Sequence, residues 1–264
     1  MKDTPLVSVI MPAYNAAPFI AEAINSVINQ TYSPWELFII EDASTDGTVE
    51  VIESFTGRDS RITLIKNPVN KGPGYSRNMG IENARGTFIA FLDADDLWLP
   101  QKLETQLEFM RENNLEMTFS SYYLQKENQN YPFAIVEALP VLTYRKLLKS
   151  NYVGNLTGIY DVTKTGKVFA PVIRKRQDWA LWLTILKKWD KTRSIDQPLA
   201  VYRVRKESLS QNKSSLISYN FRIYRDFLKF RFIKSCALMG RFLWEHFMVK
   251  RRQVKKLDKG SELL

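Results

Sequence analysis

The chain has 264 residues, 45% hydrophobic and 25% charged, which is ordinary globular usage: long enough to bury a sizeable core and too apolar for wholesale disorder. Its single cysteine, Cys236, excludes an intrachain disulfide and any multi-cysteine metal site, and its single histidine, His246, excludes zinc sites built on two or three histidines. The formal net charge of +10 is unevenly spread, since residues 1–218 hold 26 basic and 24 acidic side chains whereas residues 219–264 hold 12 and 4.

Leu6–Met11 is a short apolar run rich in β-branched residues and predicts a first strand. Phe19, Ala23, Ile24, Val27 and Ile28 then recur at helical spacing. Trp35–Ile40 reads as a second strand, and the turn from Asp42 to Gly47 feeds a helix with Val49, Ile52 and Phe55 on one face. Arg61–Ile65 is a third strand, Gly72 to Ala84 a loop entering a helix, and Phe88–Leu92 a fully apolar fourth strand suited to the middle of a parallel sheet. Beyond it, Pro100 to Asn114 predicts a helix, Met117–Leu124 and Thr157–Val162 strands, Trp179–Trp189 a strongly apolar helix, and Leu199–Val204 a late strand. This alternation points to an α/β fold with a mostly parallel central sheet flanked by helices. With no internal repeat and no long linker, the expected organisation is one domain over residues 1–215 and a basic, amphipathic, helical extension over residues 216–264.

In open α/β sheets, ligands bind at the carboxyl ends of the strands. Four polar clusters fall there: Pro12-Ala13-Tyr14-Asn15, Glu41-Asp42, Asn70-Lys71-Gly72 and Asp93-Ala94-Asp95. Asp93 and Asp95 are the sharpest pair, because carboxylates at i and i+2 of an extended segment project to one side and repel unless a cation lies between them. Oxygen donors suit Mg²⁺ or Mn²⁺, which also bind phosphate oxygens. The other reading of Asp95 or Asp96 is a cap on the helix beginning near Leu99 and Pro100. No G-x-x-x-x-G-K-[ST] is present, and Gly72-Pro73-Gly74 departs from a dinucleotide fingerprint because Arg77 stands where the third glycine belongs.

Val7 to Asn15, Glu41 to Thr48, Asn70-Lys71-Gly72 with Ser76-Arg77-Asn78, and Phe91 to Asp96 resemble the ordered motifs of family 2 glycosyltransferases. Gln177-Asp178-Trp179 and Tyr202-Arg203 extend the resemblance to about residue 210. It implies the GT-A fold, Rossmann-like, and inverting transfer of a sugar from a nucleotide diphosphate sugar, most often a UDP-sugar, with Mn²⁺ or Mg²⁺. It further implies that Pro12, Ala13, Tyr14 and Asn15 line the nucleotide pocket, that Asp42 accepts from the base, and that Asp93, beside Ala94, holds the ribose. Lys71, Gly72, Arg77 and Arg203 would approach the nucleotide or its diphosphate, and Asp95 would ligate the metal. Ala43 departs from the pattern, which usually has Gly there, as does Gln177, where Glu often precedes the catalytic Asp. Within the family, Arg176-Gln177-Asp178-Trp179 followed by Leu181-Trp182-Leu183 resembles bacterial transferases of teichuronic acid, capsule or exopolysaccharide assembly.

Two roles fit Asp178. Inversion needs a carboxylate on the acceptor side to take the hydroxyl proton; a loop–helix junction equally suits an N-cap. Trp179 and Trp182 read as an acceptor platform or as core, with core favoured for Trp182, and Tyr202-Arg203 with Ser208 and Ser210 as a late loop able to close over the diphosphate. In the basic tail, Phe221, Tyr224, Phe227, Leu228, Phe232 and Ile233 alternate with Arg222, Arg225, Lys229, Arg231 and Lys234 as on an amphipathic helix. Such a helix lies on anionic lipid or packs on the domain. No run approaches about 18 consecutive apolar residues, so no membrane span is expected. The expected setting is cytoplasmic, in peripheral contact with the inner face of the cell membrane. The expected partners are a nucleotide sugar donor and a glycan or lipid-linked acceptor, with no nucleic acid. A non-catalytic nucleotide-sugar-binding module and a basic-tail interaction protein are the competing readings.

Overall fold

The computed structural model describes residues 4–173, 175–205 and 213–257. The first half follows the alternation of the sequence: β1 (Val7–Ala13), α1 (Ile20–Ile28), β2 (Trp35–Glu41), α2 (Thr48–Thr56), β3 (Ile62–Lys66), α3 (Pro73–Asn83), β4 (Phe88–Phe91), β5 (Leu97–Trp98) and α4 (Lys102–Glu112). There follow β6 (Met117–Thr118), β7 (Ser120–Lys126), β8 (Pro132–Val136), β9 (Val141–Thr143), α5 (Tyr144–Leu147), β10 (Ile159–Asp161), α6 (Val162–Thr165), α7 (Gln177–Trp189), β11 (Lys191–Arg193) and β12 (Ile195–Val204). The C-terminal segment contributes α8 (Lys213–Arg222), α9 (Phe232–Trp244) and β13 (Val254–Lys256).

The central sheet has the order β3-β2-β1-β4-β10-β6. β1 runs parallel to both β2 and β4, β2 runs parallel to β3, and β10 is antiparallel to β4. Side-chain alternation divides the core. Ile10, Phe38, Ile40, Ile89 and Phe91 face one way, beneath α3 and α7, whereas Val9, Met11, Leu37, Ile39 and Ala90 face the other, beneath α1 and α4. Both faces being covered explains why these strands read as unbroken apolar runs. The run Met117–Leu124, expected as one strand, serves two sheets. It leaves the central sheet at buried Phe119 and continues as β7 in a second sheet of order β13-β8-β7-β12-β5. Tyr202 and Arg203 lie in β12, as the strand expected over Leu199–Val204 has it and not in the late loop also considered for them; Tyr202 pairs with Leu124 and Arg203 with Gln125. The parallel pairing with β7 and the burial of Val201 and Ala200 hold that segment extended.

The C-terminal segment packs against this body. Tyr224 and Phe242 meet Trp179 with ring centroids 5.7 and 5.9 Å apart, and β13 adds to the edge of the second sheet beside β8. Its opposite side leaves Phe232, Ile233, Trp244, Phe247 and Met248 exposed. Among the described residues, no helix is long and apolar enough to cross a membrane.

One close approach sets the position of α3. A Cβ on Gly80 would stand 2.4 Å from Ile10 Cγ2 and 2.9 Å from Ile40 Cδ1, so the helix lies directly on β1 and β2. Gly80→Ala is expected to destabilise the fold by about 1–3 kcal/mol through overpacking, read as a lower urea midpoint by circular dichroism.

Candidate active site

The polar clusters converge at the carboxyl ends of β1, β2 and β4. The Asp42 N–H donates to the Ala13 carbonyl at 2.9 Å, continuing the β1–β2 ladder past its last apolar residues. Asn15, at φ 46°, ties the loop after β1 to the loop after β2. Its N–H donates to Ser44 Oγ at 3.0 Å, and its Oδ1 accepts from the Thr45 N–H at 2.9 Å. Tyr14 beside it is half exposed. Pro12 pairs in register with Ile40.

Asp42 is buried and holds the loop that enters α3. Its Oδ1 accepts from Asn67 Nδ2 at 2.8 Å and from the Lys71 N–H at 2.9 Å, while Oδ2 accepts from the Gly72 N–H at 2.7 Å. Those three bonds leave room for one further donor on a carboxylate, which offers about four lone-pair sites. Gly72 has φ 86°, a conformation natural to glycine, and Pro73 follows as the first helical residue. The Lys71 side chain is exposed on the rim, its Nζ 3.1 Å from the Tyr75 hydroxyl. Asn67 was not singled out by sequence, because an asparagine ending a strand carries no spacing signal.

At the end of β4 the two expected aspartates are each met by a guanidinium. Arg77, reaching from α3, pairs with Asp93; Arg205, just past β12, pairs with Asp95 at 2.9 Å. Arg77 Nε is buried without a hydrogen-bond partner in the chain. Burial, and then the charge of Asp93, push the Asp95 carboxyl up, with Arg205 acting against them. Asp96 is fully buried and accepts from the Arg203 N–H at 3.0 Å; burial and its two acidic neighbours raise it well above the usual carboxylate range. Neither Asp95 nor Asp96 caps the next helix. α4 begins at Lys102 with Gln101 before it, and Asp96 is turned to β12 instead. Buried Ala94 lies between the two aspartates. Arg203 itself is buried, paired with Glu22 of α1, with Nη1 left without a partner in the chain.

This donor set suits a divalent ion. Asp95 offers hard oxygen of the kind Mg²⁺ and Mn²⁺ take, and Arg205 occupies one side of it. Among the described residues no group of three or more His, Cys, Asp and Glu side chains converges on one point, so a bound ion would complete its shell with ligand or water oxygens.

A cavity of about 270 Å³ opens next to Asp93 and extends to Asp178. α7 starts at Gln177, with Arg176 before it at φ 71°. Asp178 is therefore the second residue of the helix and not its cap. Its Oδ2 accepts from Asn151 Nδ2 at 2.8 Å. Trp179 and Trp182 are wholly buried: Trp179 donates to the Leu147 carbonyl at 2.8 Å, and Trp182 packs edge-on to Phe91 and Tyr160. Neither is an acceptor platform. The cavity also receives Lys250 from the C-terminal segment, whose Nζ donates to the Asn151 carbonyl. Burial, and then the charge of Arg176, bring that lysine down to about 8, against the pull of Asp178. No spacing in the sequence connects Lys250 with Asp178. Ser208 and Ser210 lie outside the described residues.

The sequence model described as Glycosyl transferase family 2 matches residues 8–162. A Bacillus subtilis (strain 168) protein named as the teichuronic acid biosynthesis glycosyltransferase TuaG is 38% identical over 231 residues, covering 88% of this chain and 92% of its own length. The Escherichia coli protein WfgD, named UDP-Glc:alpha-D-GlcNAc-diphosphoundecaprenol beta-1,3-glucosyltransferase, is 38% identical over 229 residues, covering 86% of this chain and 88% of its own. Among solved structures, S. aureus TarS with UDP-GlcNAc superposes at TM-score 0.69, with 20% identity over 94% of this chain and 73% of that one. The mannosyltransferase PcManGT of Pyrobaculum calidifontis, with GDP-Man and Mn²⁺, superposes at TM-score 0.66, with 17% identity over 96% and 72%. The shared fold is the GT-A fold.

Ala43 provides a local test of this geometry. It has φ 61°, left-handed backbone that a Cβ disfavours by roughly 1–2 kcal/mol. Ala43→Gly, which relieves that strain and adds some unfolded-chain entropy, is expected to raise stability by up to about 1 kcal/mol, seen as a higher urea midpoint.

Proposed function

The chain belongs to glycosyl transferase family 2, and from that premise we propose that it moves one sugar, with inversion, from a UDP-sugar to a lipid-linked glycan in cell-surface polysaccharide synthesis. One observation carries the reading: Asp93 and Asp178, from opposite halves of the chain, line one cavity. A donor held at the first would present its sugar towards the second. The names of the two relatives support the setting, one being named for teichuronic acid biosynthesis and the other for a UDP-glucose donor and a diphosphoundecaprenol acceptor.

In this reading Pro12, Ala13, Tyr14 and Asn15 wall the base, and Asp42 receives its N–H through the lone-pair site that its loop bonds leave open. Asp93, beside Ala94, holds the ribose, with Arg77 behind it. Lys71, Gly72 and Arg203 face the nucleotide or its phosphates, and Asp95 holds Mn²⁺ or Mg²⁺. Such an ion, when bound, supplies positive charge against the departing diphosphate. Asp178 takes the proton of the attacking acceptor hydroxyl, and Asn151 keeps its carboxylate aimed into the cavity. The partly buried walls exclude water that would compete with the acceptor.

Residues 1–215 carry the transfer chemistry in this proposal, and residues 216–264 the contact with lipid. That division concerns role and not packing, since Tyr224 and Phe242 belong to the body's core. Exposed Phe232, Ile233, Trp244, Phe247 and Met248, among the lysines and arginines of this segment, support docking on the anionic inner leaflet from the cytoplasm.

UDP with Mn²⁺ is expected to raise the melting temperature, and Asp95→Ala to remove the Mn²⁺-dependent part of that rise. Asp178→Asn is expected to keep the full rise while transfer of label from a UDP-sugar falls at least about a hundredfold; near-normal turnover would dismiss Asp178 as the base. Replacing Trp244 and Phe247 together with serine is expected to weaken co-sedimentation with phosphatidylglycerol vesicles, and neutral vesicles should bind poorly throughout.

A further inference from the structure

We propose that Arg176 and Lys250 form an anion subsite on the acceptor side of the cavity that takes the diphosphate of a lipid-linked acceptor. This rests on the transfer reading above and names the group by which the acceptor is held. Arg176 arrives from the turn that begins α7, and Lys250 from the last helical turn of the C-terminal segment.

Charge accounting motivates the site. Among the described residues lining the cavity, the carboxylates are Asp93, Asp96 and Asp178. The first two are met by Arg77 and by the backbone of Arg203. Asp178 is left facing both Arg176 and Lys250. Glu245, the other acid close by, is already engaged by Lys146 and the Tyr152 hydroxyl. Two cations against one carboxylate, in a site partly withdrawn from water, hold an excess of positive charge that is costly until an anion enters. Donors are free to meet it. Arg176 Nε is buried without a partner in the chain. The Lys250 ammonium has three N–H groups, of which the Asn151 carbonyl takes one.

Asn151 joins this subsite to the chemistry. Its carbonyl holds Lys250 and its side chain holds Asp178, so an anion seated between the cations brings the attached sugar to the proton acceptor. The lipid-linked source follows from position: Phe247 and Met248, both exposed, immediately precede the turn that carries Lys250 into the cavity. A diphosphate anchored in a leaflet beneath those side chains enters on the side where the cations stand. Arg176 acts here by binding the acceptor; Lys250 binds and also positions through Asn151.

The test is calorimetric titration of the full chain with the donor site filled by UDP and Mn²⁺. The probes are N-acetylglucosaminyl diphosphogeraniol, octyl N-acetylglucosaminide without phosphate, and inorganic pyrophosphate. The unaltered protein should bind the diphosphate glycolipid at least about tenfold more tightly than the octyl glycoside. Lys250→Gln and Arg176→Gln should each weaken that binding by at least about tenfold while leaving UDP and the octyl glycoside unchanged, and Lys250→Arg should recover most of it. UDP affinity and far-UV circular dichroism report the folding of each variant. Equal affinity for the two glycosides, no binding of the diphosphate probe, or unchanged affinity in both Gln variants would overturn the subsite. Pyrophosphate binding as tightly as the glycolipid would overturn its lipid-linked identity. Failure of UDP and Mn²⁺ to bind the unaltered protein would instead overturn the transfer reading.

Discussion

Two negative charges separated by one residue leave the end of a buried strand, and much of the surrounding architecture makes that tolerable. Burial, and after it the charge of Asp93, raise the cost of charging Asp95. The chain answers with Arg77 from α3 and Arg205 from beyond β12. Each arginine reaches only because its own element is held close. Gly80 lets α3 lie flat on β1 and β2, and the pairing of β12 with β5 fastens the second sheet to the stretch directly after Asp96.

The two parts of the proposed site are built differently. The rim at the ends of β1 and β2 is a set of backbone loops cross-tied by short polar side chains: Asn15 to Ser44 and Thr45, Asp42 to Lys71 and Gly72, with Asn67 filling the angle between. Those ties remove loop entropy before any ligand arrives. The cavity beyond Asp93 is assembled from pieces far apart in the chain, namely Asn151, Arg176, Asp178 and Lys250. The C-terminal segment is therefore both a wall of the cavity and an exposed apolar surface.

Much of the parallel half and its polar rim was legible from residues alone. β1 to β4 and their helices announce themselves by period, and the rule that ligands gather at carboxyl ends needs only element order to select Asn15, Asp42, Gly72 and Asp93. The oddity of Ala43 was visible as a departure from a glycine-bearing pattern, and its φ of 61° supplies the reason. The second sheet was far less legible. Its strands are short or interrupted, and the switch at Phe119 lies within a run that pattern alone reads as continuous.

By itself, the sequence determined the parallel half of the fold, the polar rim at its strand ends and the basic, apolar-patterned tail, because each depends on short-range periodicity and on which residues end an element. Tertiary structure alone decided which cation meets each aspartate, that Asp178 is held by Asn151 instead of capping its helix, and that the tail turns inward to deliver Lys250. The physical reason is that an amphipathic pattern says a face will be buried without saying against what. The direction of a long side chain is chosen by neighbours that only folding brings near.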